Sequence, residues 1–498
     1  KSGPRLVSAT APIIGPKPMT QRPLFRYVHP NGPIIEEHNW VDPEAAFAPH
    51  AEKPGAIWLD SSDLPHQAAR YSFIATRPYA THQDTPDALD AIDKELRAQA
   101  ELWADLPDDI DALLPPFRGG AAGYFGYGMG RETAETASDM PGFCLGFYDT
   151  VLSFDHHAKR CFILATGLPE SRPAARADRA HSQLADWRKN LFGLPAAPLP
   201  DPQAAPPLAR ALRSNFTPAD FQAGVQQVID YILNGDIFQA NLAQRFDAKL
   251  GPQDSGFAYY QRLRRASPSP FSSYACFDNW AMASASPERF LQCHNAKIET
   301  RPIKGTQPRG QTPAEDAAIA AKLMASEKDR AENIMIVDLL RNDLAKTCRD
   351  HSIDVPDLCA LESFSNVHHL VSTVRGELAA DKTPLDALRA SFPGGSITGA
   401  PKIRAMQIID EIEPHRRGPS YGSLGYIGFD ATMDVNIIIR TALLRGDELQ
   451  FHVGGGIVAD SQPALEYQET LNKAGGLLAA LGIDLHSLQN PVEQDKAS

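Results

Sequence analysis

Asp329-Arg330-Ala331-Glu332-Asn333-Ile334-Met335-Ile336-Val337-Asp338-Leu339-Leu340-Arg341-Asn342-Asp343 is an acidic turn followed by an apolar run. Upstream, Thr312-Pro313-Ala314-Glu315 has the form of a capping box and begins a helical stretch. That stretch continues, with a break, through Asp329 and Glu332 to Leu340. The i, i+3 spacing of Asp329 and Glu332 puts them on one helix face, roughly 5–6 Å apart at Cβ. Near the C-terminus Ser461 and Pro463 open another helix, in which Glu466 and Glu469 repeat the spacing and Lys473 lies one turn further on. Two acidic pairs can converge on one cation. Oxygen donors of this type suit Mg2+, which takes one or two protein carboxylates and leaves places for substrate oxygens. Acidic pairs also line solvated helix faces, and spacing alone does not separate the two readings.

Before the first pair comes Arg301-Pro302-Ile303-Lys304-Gly305-Thr306. Proline fixes φ and glycine permits close backbone approach, so a lysine between them can be held toward one spot, whereas most lysines are solvated surface charges. Between the acidic pairs, Ser391-Phe392-Pro393-Gly394-Gly395-Ser396-Ile397-Thr398-Gly399-Ala400-Pro401-Lys402 runs into a helix carrying Ile403, Met406, Ile409 and Ile412. Amides at such a helix start can hold an anion. The stretch fails as a nucleotide phosphate loop because Ala400 stands where the lysine belongs, which argues against ATP or GTP. Val435–Leu444 alternates like one strand, with Arg440 opposite Ile437 and Ile439. Gly454-Gly455-Gly456 suits either a carboxylate-binding run of amides or a plain bulge.

Composition sets the outer bounds. The 498 residues are 43% hydrophobic, with a net charge of −13 and a pI near 5.6, so nucleic acid and anionic membrane are poor main partners. Six scattered cysteines without a C-x-x-C pair indicate neither a disulfide framework nor a zinc site and fit a reducing cytoplasm. No run of 18 apolar residues and no signal-peptide pattern is present, which argues against membrane insertion or secretion.

The organisation expected is a loose leader over 1–22, a strand-rich region over 23–194, a Pro/Ala-rich linker over 195–214 and a catalytic region over 215–490. Thr217, Pro218 and Asp220 predict a helix N-terminus, and Gly235 its end. Glycines from Gly119 to Tyr127 predict strands in close backbone approach. Gly142-Phe143-Cys144-Leu145-Gly146 imitates the nucleophile turn of a glutamine amidotransferase. It lacks the following glutamine and a His-x-Glu partner, so Cys144 reads as strand core.

From about Phe216 to Leu481 the chain resembles the chorismate-utilising family, which includes the anthranilate, aminodeoxychorismate, isochorismate and salicylate synthases. The stretches that carry the resemblance are Asp329–Asp343, His369-Leu370-Val371-Ser372, Pro393–Lys402, Tyr421-Gly422-Ser423-Leu424-Gly425-Tyr426 and Gly454–Lys473. Leu59-Asp60-Ser61 and Arg70-Tyr71-Ser72-Phe73-Ile74 match more loosely the tryptophan pocket of amino-acid-liganded members, with Ser61 its candidate residue. The resemblance implies an α+β fold: a large two-sheet β-sandwich, mostly antiparallel, with flanking helices. The linker would then be a surface loop, and the two halves would share one core.

For the site, the resemblance implies that Glu332 and Glu469 ligate Mg2+, with Asp329 and Glu466 behind them or bonded through water. The ion would hold a ring carboxylate of chorismate. Arg440, Tyr421, Lys473 and the amides of Gly454, Gly455 and Gly456 would meet the other carboxylate. Thr398 and His369 would line the ring side, and Gln239 and Thr306 complete the substrate-binding set.

Three positions bear on the reaction. Members that add water at C2 carry a lysine base where this chain has Gln239, and a glutamine cannot take a proton from water. Glu288 matches the general acid for the C4 hydroxyl. Lys304 stands where anthranilate synthases usually carry alanine and aminodeoxychorismate synthases of the common bacterial type carry lysine. These matches imply amination at C4 through a covalent lysine, feeding p-aminobenzoate and folate synthesis, with ammonia from a separate glutaminase subunit. An anthranilate synthase component and a noncatalytic chorismate or amino-acid sensor are the alternatives.

Overall fold

Short apolar runs bounded by glycine, proline and aspartate become strands, and every strand pairing among the described residues is antiparallel. The computed structural model describes residues 22–30, 32–62, 67–85, 87–129, 140–192, 209–252, 254–364 and 367–484. The expected leader, Arg22 apart, and residues 195–208 of the expected linker lie outside these.

Among the described residues the strands form one 13-stranded and one 10-stranded sheet, and each draws on both halves of the chain. In the first, Ile57–Leu59 pairs with Phe271–Cys276, Leu59 opposite Ser273. In the second, Gly120–Phe125 pairs with Ser423–Gly428, Phe125 opposite Ser423. One buried cluster mixes Phe125 and Phe147 with Leu291, Ile298 and Val435. The α+β two-sheet expectation is met.

Two expectations need correction. Arg210–Ser214, placed in the linker, is a strand paired with Gln239–Lys249, Ser214 opposite Phe246. Val435–Leu444 is not one strand. Met433–Asn436 belongs to the second sheet and Thr441–Arg445 to the first. The chain crosses between them at Ile437–Arg440, and Arg440 takes a left-handed φ of 49°. The apolar alternation there reflects burial between layers, which periodicity cannot tell from a strand.

Other local signals hold. Thr217 caps Pro218–Leu233 by accepting the Asp220 N–H at 3.1 Å, and Gly235 follows at φ 85°. The helical stretch after Thr312 breaks into Pro313–Met324 and Glu327–Ala345, the latter capped by Ser326. Cys144 lies buried in strand Phe143–Tyr148, and burial pushes its thiol up to about 11. Among the described residues no helix is long and apolar enough to cross a membrane.

The glycines near residue 120 bring the two halves together. Gly123 opposes Gly425. A Cβ on Gly123, at φ 151°, would lie 2.0 Å from the Cys144 carbonyl oxygen, and one on Gly425 would lie 2.1 Å from that of Asp434. Both obstacles are backbone and cannot swing away. Gly123→Ala is therefore expected to destabilise the fold by about 3 kcal/mol or more, seen as a lowered denaturant midpoint with unchanged slope. An unchanged midpoint would remove this account of the strand contact.

Candidate active site

Glu288 follows strand Ala281–Ser286 at the point where the chain leaves the first sheet. Its carbonyl accepts the Ile437 N–H at 3.0 Å, which ties it to the crossing segment. The side chain is buried, at 7% exposure. Burial raises its pKa to about 7, against the lowering effects of a hydrogen bond with Ser396, the charge of Lys304 and the Ile303 backbone. The carboxyl can therefore hold a proton near neutrality.

Lys304 lies on Ile303–Pro308, which pairs with Val367–Glu377. Lys304 opposes Leu370 and Thr306 opposes His369, so Gly305 is the extra residue of a bulge. At φ 83°, a Cβ on Gly305 would lie 3.0 Å from the Asp329 side chain. Glycine is required because this strand runs against the acidic helix. Burial lowers the Lys304 pKa, with Lys473 acting in the same sense and Glu332, Glu288 and Glu469 opposing. Its ammonium is thus biased toward the neutral amine. Lys304 also converges with Gln239: a Cβ on Gly456 would meet Gln239 Nε2 at 3.0 Å and Lys304 Nζ at 3.1 Å. Gln239 is fully buried, and neither its Oε1 nor its Nε2 has a hydrogen-bond partner.

The acidic helices Glu327–Ala345 and Pro463–Ala480 face the same region. Glu332 has its pKa raised by burial, and the Asp329 and Glu466 charges push the same way against Lys304 and Lys328. Carboxylates from both helices therefore interact. Glu466 is buried, accepts the Ser461 hydroxyl at 2.7 Å, and has its pKa raised by burial. Glu469 is lowered chiefly by Lys473, whose Nζ lies 2.7 Å from Glu469 Oε1 and donates to the Gly454 carbonyl at 3.0 Å. A Cβ on Gly455 would lie 3.4 Å from both Glu466 Oε2 and Glu469 Oε1. The glycine run thus lets the strand pass beneath the second acidic pair.

Among the described residues no group of three or more His, Cys, Asp or Glu side chains is placed to hold a metal ion. The arrangement is a pair of opposed, mutually repelling carboxylate sets. Their chemistry fits Mg2+, which takes few protein carboxylates and completes its shell with water and substrate oxygen.

The remaining residues differ in what they present. The Thr306 hydroxyl and His369 Nδ1 lie 2.8 Å apart. Thr398 is fully buried and its hydroxyl donates to the Gly394 carbonyl at 3.0 Å, so it holds the glycine-rich loop in shape. Tyr421, at φ 63°, lies under Arg417, whose guanidinium is 4.4 Å from the ring centroid and is paired with Glu413. Arg440 is half-buried, and Glu288 is the charge that acts on it. Ser61 stands apart from all of these. Its hydroxyl donates to the Tyr71 carbonyl at 2.7 Å, and it lines a separate cavity of about 330 Å3 with Leu59, Tyr71, Phe73 and Arg289.

Sequence reasoning passed over Ser396, which bonds Glu288, and Lys328, whose charge acts on Glu332, Glu466 and Glu469. Ser396 lay inside the glycine-rich stretch already singled out, and Lys328 directly precedes Asp329. Arg417 and Glu413 had no local signal, because their importance comes from burial beside Tyr421.

Among known families, the model described as chorismate binding enzyme matches residues 55–479. This chain belongs to the chorismate-binding enzymes. The chorismate-binding enzyme is 39% identical over 459 residues to aminodeoxychorismate synthase component 1 of Klebsiella aerogenes, covering 88% of this chain and 97% of that one. It is 35% identical over 475 residues to anthranilate synthase component 1 of Geobacillus stearothermophilus, covering 89% and 91%. In structure it is similar to anthranilate synthase component I of Streptococcus pneumoniae TIGR4, with 31% identity, a TM-score of 0.69, and 82% and 92% of the two chains covered. The menaquinone-specific isochorismate synthase of Escherichia coli shares the fold at 19% identity, with a TM-score of 0.69, covering 91% and 95%.

Proposed function

We propose that this enzyme is an aminodeoxychorismate synthase component I, converting chorismate and ammonia to 4-amino-4-deoxychorismate for p-aminobenzoate and folate synthesis. The observation that carries the reading is that half-buried Lys304, biased toward the neutral amine, and buried Glu288, biased toward the acid, lie close enough for their charges to act on each other. In this reaction Lys304 Nζ attacks C2 of chorismate while Glu288 gives its proton to the departing C4 oxygen. Both double bonds of the ring diene shift round toward C4, and the C4 oxygen leaves as water. Ammonia then adds at C4, both double bonds shift back, and Lys304 is expelled from C2 as its amine. Gln239 beside Lys304 offers amide groups that cannot serve as a base for water, which supports amination over hydration.

Mg2+, held by Glu332 and Glu469 with Asp329 and Glu466 behind them, would neutralise a ring carboxylate. Arg440, Lys473 and the amides of Gly454–Gly456 orient the other carboxylate. Calorimetry with chorismate present should show Mg2+ affinity lowered in Glu332→Gln and Glu469→Gln by at least the roughly 10–100-fold that loss of an outer partner costs. Wild-type affinity in both would remove these residues from the metal site.

The relatives named component 1 support a partner component, and a glutaminase subunit would supply the ammonia. The Ser61 cavity would hold tryptophan. Anthranilate synthase is the second reading, favoured by the 35% identity to that enzyme. Chorismate, Mg2+ and ammonium separate the two: fluorescent anthranilate would overturn the proposal, and an aminodeoxychorismate product would support it. Failure to turn over chorismate at all would favour the sensor.

A further inference from the structure

A second polar cavity, of about 310 Å3, lies away from the catalytic residues and is lined by His50, Lys53, Pro54, Thr76, Arg77, Asp186, Lys189 and Asn190. Its floor is unusual. His50 and Thr76 are only 6% and 8% exposed, and His50 Nε2 and Thr76 Oγ1 both lack a hydrogen-bond partner. Buried polar atoms are nearly always satisfied, so two orphans lining one cavity point to an occupant that bonds them.

The rim supplies charge. Lys53, Arg77 and Lys189 are exposed cations set against one carboxylate, Asp186, in a chain whose net charge is −13. Asp186 does not cancel them. It lies 3.4 Å from Arg77, both are half-exposed, and among the described residues Lys53 and Lys189 form no ion pair. Arg77 takes a left-handed φ of 56°, and its guanidinium also donates to Gln183 at 3.2 Å. Burial, with the charges of Lys53 and Arg77 acting in the same sense, lowers the His50 pKa to about 4, so its ring is neutral near pH 7.

We propose that this cavity binds a small doubly charged oxyanion of the phosphate or dicarboxylate class. Lys53, Arg77 and Lys189 meet its charge, and Thr76 Oγ1, His50 and Asn190 bond its oxygens. Charge-assisted hydrogen bonds to a dianion are short and strong, and a monoanion would leave part of the rim charge unmatched. Three of the lining residues, His50, Lys53 and Pro54, precede the segment 55–479 that matches the family. Thr76 closes strand Tyr71–Ala75, whose other end, at Tyr71, lines the Ser61 cavity. The two cavities thus sit at opposite ends of one strand.

The test is calorimetric titration of the whole protein with inorganic phosphate, malonate and acetate at matched ionic strength. Three proteins are compared: wild type, the double variant Lys53→Gln/Lys189→Gln, and Thr76→Val. Saturable one-to-one binding of phosphate or malonate is expected in wild type, with at least tenfold loss in both variants and acetate much weaker. Phosphate alone, malonate alone or both would identify which source supplies the shared chemistry. No saturable heat, acetate as tight as the dianions, or unchanged affinity in the variants would overturn the proposal and leave water as the occupant. Chorismate turnover in the double variant should match wild type, which checks that loss of binding is not loss of fold.

Discussion

Lys304→Ala will lower ammonia-dependent C4 amination of chorismate by about 100- to 10,000-fold, the range that a positioned proton-transfer group contributes and a floor for a nucleophile. The fall should appear in kcat and kcat/KM together, because the covalent bond exists only along the reaction path. A lysine that merely paired with a substrate carboxylate would raise KM and leave kcat nearly unchanged. Mass spectrometry provides a direct view: wild type incubated with chorismate and no ammonia should gain a covalent adduct at Lys304, and the variant should not. Full amination by Lys304→Ala would end the nucleophile account. Gly456 bears on the same result, since a side chain there would press on Lys304 Nζ and Gln239 and shift them.

Glu288→Gln should cost a similar factor, about 100- to 10,000-fold, because glutamine cannot deliver a proton to the leaving oxygen. Its pH dependence has a definite sign. With the carboxyl titrating at about 7, the acid form is lost as pH rises through that value, and wild-type turnover should decline about tenfold per unit well above it. Lys304 imposes the opposite limb, gaining its neutral amine as pH rises. The variant should lose the Glu288 limb while staying slow throughout.

Stability should also fall as pH rises. The folded pKa of Glu288 lies above the ordinary value of 4.5. Between about 4.5 and 7 the unfolded chain therefore releases this proton first, and wild type loses up to about 3 kcal/mol of folding stability across that window. Glu288→Gln should escape that loss and show a smaller fall in unfolding free energy from pH 5 to pH 8. Equal pH dependence in both proteins would remove the raised pKa.

The sequence made the helices easy to place and the sheets hard. Thr217, Thr312 and Ser326 cap their helices because a cap is a local contact with a residue three positions away. Lys304 and Glu288 stood out through their motifs, yet the residues that set their chemistry come from elsewhere in the chain. Ser396 bonds Glu288 from the glycine-rich loop, and Glu332, Glu469 and Lys473 act on Lys304 from two helices. The sharing of both sheets by the two halves came from family resemblance, since alternation reports which face a residue takes and says nothing about which strand lies beside it. Arg440 is the clearest case. Periodicity continued a strand through it, while the chain was changing sheets.

Strand sharing also has a consequence for synthesis. Phe125 must wait for Ser423, 298 residues later (423 − 125), before its sheet can close. At about 5–20 residues per second, the ribosome needs roughly 15–60 s to make that interval. Throughout that time Gly120–Phe125 has no permanent neighbour on one side, and an unpaired apolar edge invites other chains. The nascent protein thus depends on being shielded until its second half emerges, and its yield in the cell should respond to holdase capacity more strongly than its finished stability would suggest.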